Sequence, residues 1–222
     1  MLEYVQGVAF IVEGATERVF YEQYIRSAAD ERLVSTPFGE ESEWGFDDLM
    51  IAGDQGDILV RFNNVGTVTQ MPNSAAWFKR SCRARWPSLP WTVFLCYDTD
   101  SYDVPISKFQ SESWNLLRKD LEESADEVIE IAAAADIEDV MLADFEGVLR
   151  YLGLDPAAPL PSGGKGKSRM RKLFKMRSVR HPYHEGEKAL PLIQTLDMRK
   201  ICAASLVPLG RINEVCGFAE RS

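Results

Sequence analysis

The stretch Val8-Ala-Phe-Ile-Val-Glu-Gly-Ala-Thr-Glu17 decides the fold. Val8 to Val12 is a continuous apolar run of strand length. Continuous rather than alternating hydrophobicity predicts a strand buried on both faces, as in a parallel sheet. The run stops at Glu13 and Gly14, and a helix is predicted from Ala15 to about Ala28, with Val19, Phe20, Tyr24 and Ile25 as its apolar stripe. An acid at the carboxyl end of a buried strand stands where open α/β sheets place their sites. Gly14 allows a sharp turn and the close approach of a ligand. Glu17 falls in the first helical turn, where it suits the helix dipole and can point back toward Glu13. A solvated loop acid followed by a simple dipole partner would read the same way.

A second stretch repeats the pattern: Trp91-Thr-Val-Phe-Leu-Cys-Tyr-Asp-Thr-Asp100. Thr92 to Tyr97 has the character of a buried strand and ends in acids. Side chains alternate along extended chain, so Asp98 and Asp100 are expected on one side and Thr99 on the other. Paired carboxylates suit Mg²⁺, a hard cation that prefers oxygen ligands, although Asp-x-Asp also occurs in turns. Four converging acids repel one another unless a cation neutralises them.

These residues resemble the Toprim domain shared by topoisomerases, bacterial primases and the OLD-family nucleases. The spacing Glu13-x-x-x-Glu17 is most similar to the OLD type, whose Glu-x-x-x-Glu and Asp-x-Asp motifs bind catalytic metal ions. The resemblance implies a Toprim-like α/β fold, a mostly parallel sheet flanked by helices, with Glu13, Glu17, Asp98 and Asp100 as catalytic metal ligands for Mg²⁺ or Mn²⁺. A downstream Ser-x-Glu motif of that family has its nearest match in Asp136-Ile137-Glu138, with Asp for Ser, which implies Glu138 as a further ligand. A lysine that assists the metals is also implied; Lys165 and Lys167 both qualify. The layout is similar to small stand-alone bacterial Toprim-like proteins. The resemblance further implies phage defence, beside a separate ATPase subunit, since this chain shows no ATPase motif.

The 222 residues suffice for one domain with an added subdomain, and a 45% hydrophobic content supports a full core. No apolar run of about 18 residues suggests a membrane span. The opening residues do not read as a signal peptide, and four scattered cysteines with two histidines give no zinc pattern, so a reducing cytoplasm is expected. A net charge of −9 argues against a general nucleic-acid coat. The charge is uneven, however. Lys165, Lys167, Arg169, Arg171, Lys172, Lys175, Arg177 and Arg180 fall together with no acid among them. Such a segment on an acidic body suggests a footprint for a polyanion, DNA or RNA, with Arg169, Arg171, Lys172 and Lys175 as backbone contacts. A solvated basic helix is the alternative.

Along the rest of the chain, Ala29 to Gly56 reads as irregular, with a short helix around Phe46 to Ile51. Asp57 to Val68 reads as a strand, with or without a turn at Asn63-Asn64. A helix is expected from Pro72-Asn73-Ser74 to about Arg85, a loop at Asp103-Val104-Pro105, an amphipathic helix over Ser111 to Ser124 and a strand over Glu127 to Ala133. Ile137 to Leu152 is helical by periodicity, with Asp136 as cap. Residues 155–166 form a Pro/Gly/Ser linker, dividing an α/β domain (1–154) from a helical C-terminal appendage (167–222).

Rival motifs fit less well. Gly163-Gly-Lys-Gly-Lys-Ser168 is not a P-loop, because Pro161 stands where the first Gly is needed and no strand precedes it. A glycosyltransferase Asp-x-Asp leaves Glu13 and Glu17 unexplained. His181 and His184 flank Pro182-Tyr183 with no acid partner in view. The reading from sequence is a metal-dependent phosphoryl-transfer enzyme, a nuclease on DNA or RNA. The alternative is a non-catalytic module that binds nucleic acid or a partner protein.

Overall fold

A computed structural model describes residues 4–35, 48–100, 102, 111–176, 182–205 and 207–218. The expected loop at Asp103–Pro105 lies outside them, as do Phe46, Arg177, Arg180 and His181. The opening apolar run forms β1 (Tyr4–Val12), and Gly14 leads into α1 (Ala15–Ala29). The chain continues through β2 (Leu33–Ser35), β3 (Leu49–Ile51), β4 (Asp57–Asn64), α2 (Met71–Trp77), β5 (Trp91–Asp98), α3 (Ser111–Glu122) and β6 (Glu127–Ala133). After that it is helical: α4 (Ile137–Met141), α5 (Phe145–Leu152), α6 (Gly166–Met176), α7 (Leu190–Ile193), α8 (Met198–Ala204) and α9 (Gly210–Val215).

The six strands form one sheet in the order β2-β3-β4-β1-β5-β6. The four strands β4, β1, β5 and β6 run parallel, and β3 and β2 add on antiparallel at one edge. This is an α/β fold with a mostly parallel sheet, as the continuous apolar runs imply: a central parallel strand is covered on both faces. Val8 to Val12 are fully buried, and so are Val93 to Cys96. Phe10 stacks on Phe62 of β4 at 5.0 Å and on Phe94 of β5 at 4.9 Å, so one row of rings ties the three central strands.

Helices lie on both faces. On one, α2 and α3 cover Ala9, Ile11, Val93 and Leu95 with Phe78, Trp114, Leu117 and Leu121. On the other, Val8, Phe10 and Val12 share an apolar cluster with Phe20, Tyr24 and Ile25 of α1. That cluster also takes in Met170, Leu173, Ile193, Ile201, Leu209 and Ile212, so the helices after the linker share a core with the sheet. Tyr24 Oη donates to Asn213 Oδ1 at 2.9 Å, a direct tie between α1 and α9.

Three local expectations need correction. Leu49–Ile51 is a strand, not the end of a helix; all three residues are buried, which a short helix exposing one face would not achieve. The helix expected to Arg85 leaves α geometry at Phe78 and continues as a π-helical turn to Arg83. The single helix over Ile137–Leu152 is broken at Leu142–Asp144, where buried Asp144 caps α5 by accepting from Gly147 N (3.2 Å) and also accepts from Asp197 N (2.9 Å).

Gly7 is the tightest point between the central strands. A Cβ there would lie 2.5 Å from the Trp91 ring, which is itself fully buried. Gly7→Ala should therefore lower unfolding stability by roughly 1–3 kcal/mol, as overpacking does. Urea unfolding followed by tryptophan fluorescence measures it, and an unchanged midpoint would show that the ring can move aside.

Candidate functional site

The register of β1 against β5 sets Val12 beside Cys96, so the residues that follow emerge together at the carboxyl edge. Glu13 N donates to Cys96 O at 3.1 Å, and Asp98 N donates to Glu13 Oε2 at 3.2 Å. Topology marks the same spot. From β1 the chain moves by α1 toward the β4 side, and from β5 it moves by α3 to β6 on the other side. In open α/β sheets, the crevice where connections diverge is where ligands bind.

Gly14 positions Glu17. A Cβ at Gly14 would stand 2.6 Å from Glu17 Oε2, so the missing side chain is what lets that carboxylate fold back over the turn. Glu13 and Glu17 are both buried, at 2% and 8% exposure. On the other strand, Asp100 has φ +60° and Ala135 has φ +67°, left-handed values that non-glycine residues seldom adopt. Hydrogen bonds between the ends of β5 and β6 hold both in place. Thr99 N and Oγ1 donate to Ala133 O (2.9 and 3.1 Å), Asp100 N donates to Ala135 O (2.9 Å), and Ala135 N donates to Thr99 Oγ1 (2.9 Å).

The Asp136-Ile137-Glu138 segment follows directly. Asp136 Oδ1 accepts from Asp139 N at 3.0 Å and caps α4, as expected. Its Oδ2 accepts from Lys167 N at 3.0 Å, which anchors the start of α6. Glu138, 2% exposed, accepts from Tyr183 Oη at 2.9 Å. Gly166 fits against this turn so closely that a Cβ would meet Asp139 N at 2.1 Å.

The result is a pocket of about 530 Å³ that contains all the expected ligands, Glu13, Glu17, Asp98, Asp100 and Glu138, together with Lys165 and Lys167. Asp136, Thr16, Arg171 and Glu185 line it as well. Lys165 Nζ reaches Asp100 Oδ1 at 2.6 Å. Glu185 holds Lys167 Nζ at 2.6 Å and an Arg171 guanidinium nitrogen at 3.0 Å, and Gly186 N donates to Thr16 Oγ1 at 2.8 Å. Glu185 and Tyr183 carried no sequence signal as site residues, since they arrive from the tail by tertiary packing. The one local hint is that Glu185 is the first acid after the basic run.

The basic segment is thus engaged with its own protein. Of the four expected backbone contacts, Arg171 pairs with Glu185, Arg169 pairs with Asp139 at 2.9 Å, and Lys172 Nζ donates to Ser162 O at 2.7 Å; Lys175 is exposed. Of these four, then, three are tied to partners on this protein.

Electrostatics make the pocket costly to keep charged. Burial raises the Asp98 carboxyl far above the usual carboxylate range, and the charges of Glu17, Glu13, Glu138 and Asp136 raise it further. Burial, then Asp136, lifts Glu138 to about 7, against a lowering by the Tyr183 hydrogen bond. Burial also raises Asp136, against the lowering effect of the Lys167 N–H. Asp98 Oδ1 is buried with no hydrogen-bond partner, an unusual state for a carboxylate oxygen. Among the described residues, no three or more acids, cysteines or histidines are placed so that together they could hold a metal ion. The bare, buried oxygen of Asp98 is nonetheless of the donor type that a hard divalent cation prefers, and such an ion would supply the missing partner.

No family model matches the chain, and no curated protein matches it. Among solved structures it is similar to a futalosine hydrolase mutant of Helicobacter pylori strain 26695, at 9% identity and TM-score 0.31, covering 96% of this chain and 99% of that one. It is also similar to Helicobacter pylori MTAN, at 11% identity and TM-score 0.23, covering 85% and 82%. In the segment expected to track a polynucleotide, Lys165, Lys167, Arg169, Arg171 and Lys172 are paired within this protein. The expectation of a phosphodiester-cleaving nuclease is corrected accordingly. At these TM-scores the likeness lends this chain the activity of neither protein.

The raised carboxyls imply a sign for pH dependence. A carboxyl whose folded pKa lies above its unfolded value contributes stability at low pH that is lost as pH rises through the folded pKa. Metal-free protein should therefore lose stability as pH rises from the ordinary carboxylate range through about 7, where Glu138 titrates, and on upward as Asp98 does. Asp98→Asn should flatten the upper part of this decline and raise stability at pH 8 by at least ~1 kcal/mol. Thermal unfolding in chelator across pH tests it, and a variant that melts lower than wild type at pH 8 would reject the repulsion.

Proposed function

We propose that the pocket binds a divalent cation, Mg²⁺ or Mn²⁺, and that the chain is a metal-dependent hydrolase of small anionic substrates. The observation that carries the reading is the unpartnered, buried Asp98 Oδ1 beside the charges of Glu13, Glu17, Asp136 and Glu138. Glu13, Asp98 and Asp100 are the residues that would hold the cation, with Glu17 and Glu138 at its margin. The resemblance of the two acidic motifs to Toprim domains implies the same set. A bound divalent ion supplies a Lewis acid and a water of lowered pKa.

The chain's own residues complete the chemistry. Glu138, held near neutrality by burial, can take a proton from water at physiological pH. Lys165, Lys167 and Arg171 line the same pocket and offer charge-assisted donors to an anionic group. Asp100, which accepts from Lys165 Nζ at 2.6 Å, would be a ligand to the cation, and Lys165 would then be a donor to the substrate. Glu185 keeps Lys167 and Arg171 in place. Tyr183 orients the Glu138 carboxylate through its hydrogen bond.

Calorimetric titration with Mn²⁺ tests the cation. It should bind saturably, release protons and tighten with rising pH, because protonated carboxyls must ionise to ligate. Asp98→Asn and Glu13→Gln should each weaken binding by about tenfold or more. Absence of saturable binding in wild-type protein would overturn the site. For the hydrolase, a panel of small anionic esters and glycosides should show Mn²⁺-dependent turnover that Glu138→Gln reduces by about a hundredfold or more. Tight Mn²⁺ binding with no turnover would leave a cation-binding module instead.

A further inference from the structure

A second cavity, of about 430 Å³, opens at the end of β4 and is built from a different chemistry. Asn63, Asn64, Gln70 and Asn73 line it, with Trp77 and Arg80. Among the described residues, four that bear carboxamides and one that bears a guanidinium line it, and no acid does. We propose that this cavity is a binding site for a polyhydroxylated small molecule bearing one anionic group, of the sugar-phosphate class.

Three observations converge on it. First, Asn63 Oδ1 and Asn64 Oδ1 are shielded from water and have no hydrogen-bond partner. Carboxamides carry both donors and acceptors, and a half-turn about the last side-chain bond exchanges them. Hydroxyl groups match that duality, since each can donate to an amide oxygen and accept from an amide N–H. Second, the wall that carries Arg80 is the π-helical turn Phe78–Arg83, and π-helical turns are frequent at functional sites. Arg80 is exposed at the rim, where a guanidinium can take an anionic oxygen in a fork. Third, the cavity sits at the carboxyl edge of the parallel strands, where open sheets place ligands. Asn63 and Asn64 lie in register with Ile11 and Val12, directly before Glu13.

The amides on the helix side are already arranged. Asn73 Nδ2 donates to Gln70 Oε1 at 2.5 Å, which fixes both side chains and leaves the Asn73 carbonyl oxygen for a ligand hydroxyl. Ser74 is buried beneath them, and Trp77 gives the floor an apolar edge against which a sugar ring can rest. Arg80 favours an anion over a cation, and the carboxamide lining separates this cavity chemically from the carboxylate pocket.

The test uses the full chain, labelled with nitrogen-15, and follows the side-chain NH₂ signals of the four carboxamides. Ribose 5-phosphate should shift them saturably at millimolar or lower concentration. Ribose alone and inorganic phosphate should each bind at least about tenfold more weakly, since each keeps only part of the match. Arg80→Gln and Asn73→Ala change exposed residues and should preserve the fold. Each should weaken ribose 5-phosphate by about fivefold or more while leaving Mn²⁺ binding at the acidic pocket unchanged. Absence of a saturable shift would overturn the proposal, and so would equal binding of inorganic phosphate and ribose 5-phosphate, or affinities untouched by both variants.

Discussion

Like charges held out of water constrain this molecule more than any other interaction. Glu13, Glu17, Asp98, Asp136 and Glu138 meet in one pocket, and four of the five are less than a tenth exposed. Isolated buried carboxylates are too costly to remain ionised unless something compensates them. The chain meets part of the cost by raising carboxyl pKa values, part by backbone N–H groups at Asp98, Lys167 and Asp139, and part by the cations of the segment after residue 164. Asp98 is left with one oxygen that none of these reaches.

The basic segment reads differently in that setting. Eight cations in a run suggest an external polyanion, but each of the first four has a partner on this protein: Lys165 on Asp100, Lys167 and Arg171 on Glu185, and Arg169 on Asp139. Its counter-charge is internal. The segment is therefore part of the acidic pocket's architecture, and the net charge of the whole chain says little about the field inside the crevice.

The central strands and their terminal acids were legible in the sequence, because a continuous apolar run of strand length that stops at a carboxylate fits a buried strand reaching the sheet's edge and little else. Glu127–Ala133 matches the expected bounds, and the Asp136 cap is present. Local sequence leaves Asp136 open between cap and site, and the structure gives it both positions: one oxygen caps α4 and the other holds Lys167 N. What was not legible depends on three-dimensional return of the chain. Glu185 and Tyr183 enter the pocket from the tail, and no local periodicity encodes that. The short β2 and β3 have three residues each, too few for a period to show. The closeness of Gly166 to α4 is invisible until the two segments are side by side.

The shared core also has a temporal side. The cluster on one face of β1 includes Leu209, Ile212, Cys216 and Phe218, residues that the ribosome adds long after the strand itself. Contacts of such high sequence separation slow folding, because a long loop must close before they form. Until then the face of β1 that carries Val8, Phe10 and Val12 lacks part of its cover. Before α8 and α9 are made, that uncovered apolar surface is prone to aggregate.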